Sequence, residues 1–169
     1  MQIRLGESRD SAALRAIYNR EVTGSLVTFD LVPRTAAEQD AWMAAHRGAY
    51  PVLVAEEEGA ILGFASLSPY RPRPAYATTV EDSIYVAADH RGRGVGRALL
   101  SEIVALAGAH GFHAVIARIV GDHEASIGLH RSCGFRLVGV EREVGRKFGR
   151  WLDVAIMQYL VGAPHPGDD

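Results

Sequence analysis

The stretch from Ile84 to Leu100, IYVAADHRGRGVGRALL, constrains the fold more than any other part of the chain. Ile84, Tyr85 and Val86 are strand formers. Asp89 to Gly96 reads as a glycine-rich turn, and Ala98, Leu99, Leu100, Ile103, Val104 and Leu106 then recur with helical spacing. A strand must therefore hand the chain to a helix across a tight turn. Glycines at positions 92, 94 and 96 leave the backbone open to a ligand, because no Cβ stands in the way. The first N–H groups of a helix have no intrahelical partner and carry the positive end of its dipole. Together these features make a site for phosphate, here a pyrophosphate, and Arg91, Arg93 and Arg97 add positive charge. A P-loop is excluded, because Gly96 is followed by Arg97 and Ala98 rather than Lys and Ser or Thr. A dinucleotide fingerprint is excluded too. Its third glycine would fall at Arg97 or Leu99, depending on the starting glycine.

A chain of 169 residues suits one domain with a sizeable core. Its formal net charge of −2 announces neither nucleic acid nor an anionic membrane as partner. One cysteine, Cys133, excludes an internal disulfide and fits a reducing compartment. The N-terminus MQIRLGESRD has no apolar run of the signal-peptide kind, and no segment is apolar for long enough to span a bilayer. A cytoplasmic protein is expected, with one domain over residues 1–161 and a flexible tail over 162–169 rich in Pro, Gly and Asp.

In chain order, Ile3 and Leu5 mark a first strand. Ser8 or Asp10 caps a helix carrying Ala13, Leu14, Ile17, Tyr18 and Val22 on one face. A loop with an apolar middle follows, from Gly24 to Pro33. Thr35 and Glu38 form a capping box for a second helix bearing Trp42. Pro51–Glu57 and Ile61–Leu67 read as a hairpin around Gly59, and Pro69–Pro74 as a loop. Ala77–Val86 is a long strand into the glycine turn. Gly111 ends the next helix, Phe112–Ile119 is a strand and Glu124–Ser132 a helix closed by Gly134. Phe135–Val144 and Trp151–Leu160 form a final antiparallel pair around Gly145–Gly149. Trp42, Phe64 and Phe112 are read as core. The histidines at 46, 90, 110, 113 and 165 lack metal-ligand spacing, so no metal is expected.

Arg91-Gly92-Arg93-Gly94-Val95-Gly96 after a strand exit resembles the acyl-CoA loop of the GNAT superfamily of N-acetyltransferases, and the order of elements is the order of that fold. The resemblance covers Ile3 to about Leu160. It implies an α/β (α+β) fold with a mixed, mostly antiparallel twisted sheet of about seven strands flanked by helices. It also implies acetyl-CoA as cosubstrate and a bulge in the strand leading to the loop. Three further blocks narrow it: Tyr70–Tyr76 (YRPRPAY), Thr79–Val86 (TVEDSIYV) and Lys147–Asp153 (KFGRWLD) resemble the phosphinothricin and methionine sulfoximine N-acetyltransferases.

Strand alternation places Val80, Ile84 and Val86 on one face and Glu81, Ser83 and Tyr85 on the other. Amine acetylation needs a neutral amine, and a carboxylate near the acceptor can take the ammonium proton. The resemblance implies that role for Glu81, and substrate contacts for Arg71, Pro72, Arg73, Glu81, Asp82 and Ser83. Guanidinium groups pair with carboxylates in a bidentate fork, which suits Arg71 and Arg73 to an amino-acid acceptor. The resemblance further implies that Ile84, Tyr85 and Val86 flank the thioester, that residues 92–97 hold the pyrophosphate, and that the block around His123 and Ser126 contacts CoA. The family commonly carries Asn where this chain has His123. His130 stands where many members have a tyrosine that protonates the leaving thiolate, and histidine is suited to that by its pKa. Phe29 and Trp151 are candidates for the acceptor wall. Cys133 is read as a small hydrophobe rather than a nucleophile. The family is typically dimeric, so a homodimer is expected. Two other readings stay open: acetylation of a protein N-terminus or lysine, and a non-catalytic CoA-binding sensor.

Overall fold

The computed structural model describes residues 1–162, so the expected tail lies outside the described residues from position 163 on. Seven strands form one sheet in the order β1-β2-β3-β4-β5-β7-β6: β1 (Gln2–Leu5), β2 (Val52–Glu57), β3 (Ala60–Pro69), β4 (Thr79–Val86), β5 (Ala114–Val120), β6 (Arg136–Lys147) and β7 (Arg150–Leu160). Of the neighbouring pairs only β4–β5 is parallel, and the helix α3 (Val95–Ala109) makes that crossover. The mixed, mostly antiparallel sheet is the one expected from the order of elements.

Both faces of the sheet are covered. Leu99, Leu100, Ile103, Val104 and Ala107 of α3, with Ile127 of α4 (Glu124–Ser132), bury against Leu53, Ala65, Leu67, Val80, Val115 and Ala117. On the opposite face Leu14, Tyr18 and Val22 of α1 (Ser11–Gly24), with Trp42 and Met43 of α2 (Ala36–Ala45), pack on Val52, Val54, Phe64 and Tyr85. The central strands β2, β3 and β5 are buried in continuous runs because both of their faces are covered, and the helices meet them with 3.6-residue spacing in two apolar layers. The Thr35–Glu38 capping box of α2 is present, with both reciprocal hydrogen bonds.

Three local expectations change. Asp10 precedes α1 but does not cap it with its side chain. Its carboxylate instead takes two hydrogen bonds from Arg4, at 2.7 and 2.9 Å, and one from the Glu7 N–H at 2.8 Å. The last hairpin turns over two residues, Phe148 and Gly149, rather than over Gly145–Gly149. Both adopt positive φ (49° and 75°), the geometry of a tight two-residue connection. The β6 irregularities fall earlier, between Leu137 and Gly139 and between Glu141 and Gly145. Finally, the bulge that the resemblance implies for β4 does not interrupt its ladder with β3, which runs unbroken from Gly63↔Val86 to Pro69↔Val80. The interruption lies on the other edge of β4. Its ladder with β5 has three rungs, Thr79↔Ala114, Val80↔Val115 and Glu81↔Ile116, and stops. Beyond Glu81 the two strands splay apart.

Candidate active site

The splay opens a cavity of about 600 Å³ between β4, β5, the glycine turn, α4 and the loop after α1. One wall of it is built mainly from one contiguous stretch, joined by the start of α4. Gly92 and Gly94 have φ of 73° and 81°, and a Cβ at either would meet nothing within 4 Å. Gly94 stands at the N-cap of α3 with no side-chain cap, so the positive end of a 15-residue helix opens on the cavity. An anionic group fits this cradle by shape and by charge. A Cβ at Gly96 would come within 3.1 Å of Leu129, so that glycine lets α3 and α4 approach closely. His90, Arg91, Gly92, Gly94, Val95, Gly96, Arg97, His123 and Ser126 all line the cavity. Arg93 does not. It turns away to pair with Glu57 at 2.8 Å.

Arg91 is tied down. It is ion-paired to Glu21 near the end of α1, and its Nε donates to the Val86 carbonyl at 3.2 Å. Glu21 is 6 % exposed and also lines the cavity. The His123 imidazole is held below its ordinary pKa by burial and then by the Arg91 charge.

The opposite wall is assembled from distant segments. Glu81, Ser83 and Tyr85 come from β4, Arg118 from β5, and Val27, Thr28 and Phe29 from the loop after α1. Two features of β6 set that loop. Lys147, 2 % exposed, donates to the Thr28 carbonyl at 2.8 Å and reaches the Glu21 carbonyl at 3.5 Å. The Phe29 ring lies on Gly145 so closely that a Cβ there would stand 2.4 Å from a ring carbon. Burial lowers the Lys147 pKa, opposed by the charges of Asp30 and Glu21. Tyr18 completes the bracing, meeting the Thr28 hydroxyl at 2.9 Å and donating to Asp30 at 2.6 Å.

Glu81 is half-buried. Burial raises its pKa above the ordinary carboxylate value, Asp82 adds to the rise, and Arg118 and Arg71 oppose it. Asp82, the next residue, points through the sheet and is 6 % exposed. It meets His130 Nε2 at 3.1 Å, while His130 Nδ1 donates to the Ser126 carbonyl at 2.8 Å. A carbonyl can only accept, so Nδ1 carries a proton. Nε2 therefore either carries a second proton toward an ionised Asp82 or accepts one from a neutral Asp82. Either way the pair stores one proton. Burial opposes charge on His130, but Asp82 and the Ser126 carbonyl outweigh it, and the imidazole pKa is raised. Asp82 Oδ1 is buried, and no hydrogen-bond partner stands beside it among the described residues.

The cavity thus brings together most of the residues singled out in the sequence, including Glu81, Asp82, Ser83, Ile84, Tyr85, Val86, Phe29 and His130. Arg71, Pro72 and Arg73 stand outside its lining, and Arg71 lies against the rings of Tyr70 and Tyr76. Trp151 is an exposed residue of β7 under Arg146, not part of the wall. Cys133 lies outside the cavity, in a second depression between the end of α4 and the start of β6. Sequence reasoning missed Glu21, Thr28, Arg118 and Lys147. The single signal for Lys147 was its place in the KFGRWLD block. Among the described residues no His, Cys, Asp and Glu side chains gather as a metal site, and no helix is long and apolar enough to cross a membrane.

The family model described as "Acetyltransferase (GNAT) family" matches residues 13–135. A phosphinothricin N-acetyltransferase of Streptomyces coelicolor is 44% identical over 159 residues, 92% of this chain and 93% of that protein. An L-methionine sulfoximine/L-methionine sulfone acetyltransferase of Pseudomonas aeruginosa is 42% identical over 151 residues, 88% of each. Among solved structures, a GNAT superfamily phosphinothricin acetyltransferase from Sinorhizobium meliloti in complex with AcCoA superposes with a TM-score of 0.91 at 39% identity, covering 99% of this chain and 94% of that one.

Proposed function

The chain belongs to the GNAT acetyltransferase family, and from that premise we propose that it moves acetyl from acetyl-CoA to the α-amino group of a small amino-acid-like acceptor of phosphinothricin, methionine sulfoximine or methionine sulfone type. Transfer is by direct attack in a ternary complex. The observation that carries this reading is the single cavity joining an uncapped, glycine-lined helix N-terminus to a half-buried carboxylate of raised pKa at the point where β4 and β5 part.

Bound acetyl-CoA supplies an activated acyl group. The chain's part is to hold it and to manage the protons. Backbone N–H groups of residues 92–97, with Arg91 and Arg97, hold the pyrophosphate, and His123 and Ser126 border the pantetheine. The β4 segment Ile84–Val86 has no β5 ladder to enter, so its outward backbone groups, apart from the Val86 carbonyl that Arg91 holds, are available to the thioester. Forming the N–C bond from an ammonium and breaking the C–S bond requires two protons to leave the nitrogen, one before attack and one as the amide forms, and one proton to reach the sulfur. Glu81 takes the first, directly or through one water. The Asp82–His130 pair supplies the proton for the sulfur and is replenished by the second proton from the nitrogen. In this reading Asp82 serves the thiol side, and Ser83 and Phe29 bound the acceptor. Arg71, Pro72 and Arg73 stand at the rim, close enough for Arg71 to act electrostatically on Glu81.

A homodimer fits the exposed apolar edge strand β6, where Leu137, Val138, Val140 and Val144 face outward. A cytoplasmic setting fits the free thiol of Cys133.

A thiol-release assay with acetyl-CoA tests the proposal, using phosphinothricin, methionine sulfoximine, methionine sulfone, ordinary amino acids and an unacetylated peptide. Release with one of the three analogues well above the rest is expected. Release with the peptide alone would make the chain a protein acetyltransferase. Tight acetyl-CoA binding with silence across the panel would make it a CoA sensor.

A further inference from the structure

An α-amino acid presents its ammonium and its carboxylate on the same carbon. Whatever receives the carboxylate must therefore stand beside the group that receives the ammonium proton. The cations around the cavity can be sorted on that condition. Arg71 and Arg73 are outside the lining. Arg91 has both edges engaged, its terminal nitrogen by Glu21 and its Nε by the Val86 carbonyl, and Arg93 is outside the lining and paired with Glu57. Arg97 belongs to the first turn of α3, among the groups that face the pyrophosphate.

Arg118 remains. The last β4–β5 rung is Glu81↔Ile116, and Arg118 is the next β5 residue on the Ile116 face. The alternate residues Val115, Ala117 and Ile119 face the α3 core, so Ile116 and Arg118 face the other side, the side of Glu81. Arg118 lines the cavity directly across the splay from Glu81 and Ser83. Its charge is the largest influence opposing the burial of Glu81. Its two terminal nitrogens are held by the Glu141 carboxylate of β6, at 2.6 and 3.5 Å. That tether fixes the plane of the guanidinium and leaves Nε without a partner among the described residues. Nε and the neighbouring terminal N–H form the second edge of the fork, and that edge can take a carboxylate in the bidentate manner.

We propose that Arg118 receives the α-carboxylate of the acceptor through this free edge, and that it is the residue that makes the site select α-amino acids over simple amines. The inference rests on the amino-acid acceptor reading above. It divides the acceptor between two strands, with the ammonium at Glu81 on β4 and the carboxylate at Arg118 on β5.

The test compares methionine sulfone with the same molecule lacking its carboxylate, 3-(methylsulfonyl)propylamine, in the wild type, R118M, R118K and R71Q. A charged bidentate contact implies that the wild type prefers methionine sulfone in kcat/KM by about 10- to 100-fold. The preference should collapse to within a few-fold in R118M, and R118K should recover part of it. Activity on the amine should be much less affected, and the Kd for acetyl-CoA unchanged. A general structural defect would lower both acceptors together and leave their ratio intact. A wild type indifferent to the carboxylate, an R118M variant that keeps the full ratio, or a collapse in R71Q instead of R118M would each overturn the inference. If the wild type acetylates neither compound while binding acetyl-CoA, the amino-acid reading itself falls and the inference falls with it.

Discussion

The two walls of the cavity are built in opposite ways. The proposed cofactor wall is mainly one run of chain, a strand exit, a glycine turn and a helix start, joined by His123 and Ser126 at the start of α4, and the groups that run offers are mostly main chain. The proposed acceptor wall is made of side chains from three separated segments, and its shape depends on Lys147 and Gly145 of β6 bracing a loop more than a hundred positions earlier, at a separation of 119 for the Lys147–Thr28 bond. A wall made of local backbone is fixed once the helix forms. A wall made of distant side chains can be retuned residue by residue. The difference separates a common cofactor from a variable acceptor, and it implies that substitutions should divide cleanly between the two.

The largest effect is expected on the acceptor side. Glu81→Gln removes the proton acceptor, so kcat should fall about 10²- to 10⁴-fold at neutral pH, while acetyl-CoA binds as before by calorimetry. Breaking the other wall should give the reverse pattern. Gly94→Val forces a β-branched residue to φ 81° at the mouth of α3. Acetyl-CoA affinity should drop about 10- to 100-fold, with a stability loss of about 1–3 kcal/mol measured by denaturant titration. Next comes the bracing. Lys147→Met leaves the Thr28 carbonyl without its buried donor, at a cost of about 1–3 kcal/mol. Acceptor KM should rise about tenfold through the displaced Phe29 wall while KM for acetyl-CoA stays constant. A rise in both would mean that the walls are not separable.

The smallest effect concerns the proton store. The His130 pKa is raised above 6.5 in the folded protein. A raised pKa means that the folded state holds the proton more tightly than the unfolded chain does. Its stabilisation is therefore complete below the unfolded value and is lost as pH rises through the folded one. Asp82→Asn should lower Tm more in mildly acidic than in alkaline buffer, with the gap closing as pH rises. A gap that widens with pH would contradict the pairing.

The same contrast explains what the sequence made legible. Gly92, Gly94 and Gly96 announce the cofactor wall because a backbone cradle is written in consecutive residues. Period-two and 3.6-residue patterns likewise give the sheet and helices, since each is a local property. The glutamate at 81 was legible through family resemblance, not through periodicity, which describes any strand carboxylate equally well. Arg118, Lys147 and Glu21 were not legible, because each acquires its meaning from a partner far away in sequence: Glu141, Thr28 and Arg91. The missing bulge in β4 and the early end of its β5 ladder are likewise properties of strand pairing, which a single strand's sequence does not record. The two-residue turn at Phe148-Gly149 was placed a few residues early for a related reason. Gly145 looks like a turn residue, yet it is glycine to make room for the Phe29 ring.

The most direct test of Glu81 as proton acceptor is the pH dependence of kcat/KM for methionine sulfone in the wild type and in Glu81→Gln. The wild type can use the ammonium form of the acceptor, so its profile should rise through the raised pKa of Glu81 and then level off at neutral pH. The variant has no base and must wait for free amine. Its profile should keep climbing with unit slope toward the ionisation of the acceptor itself. If both enzymes level off at the same pH, Glu81 does not take the proton, and the acceptor wall has been assigned the wrong chemistry.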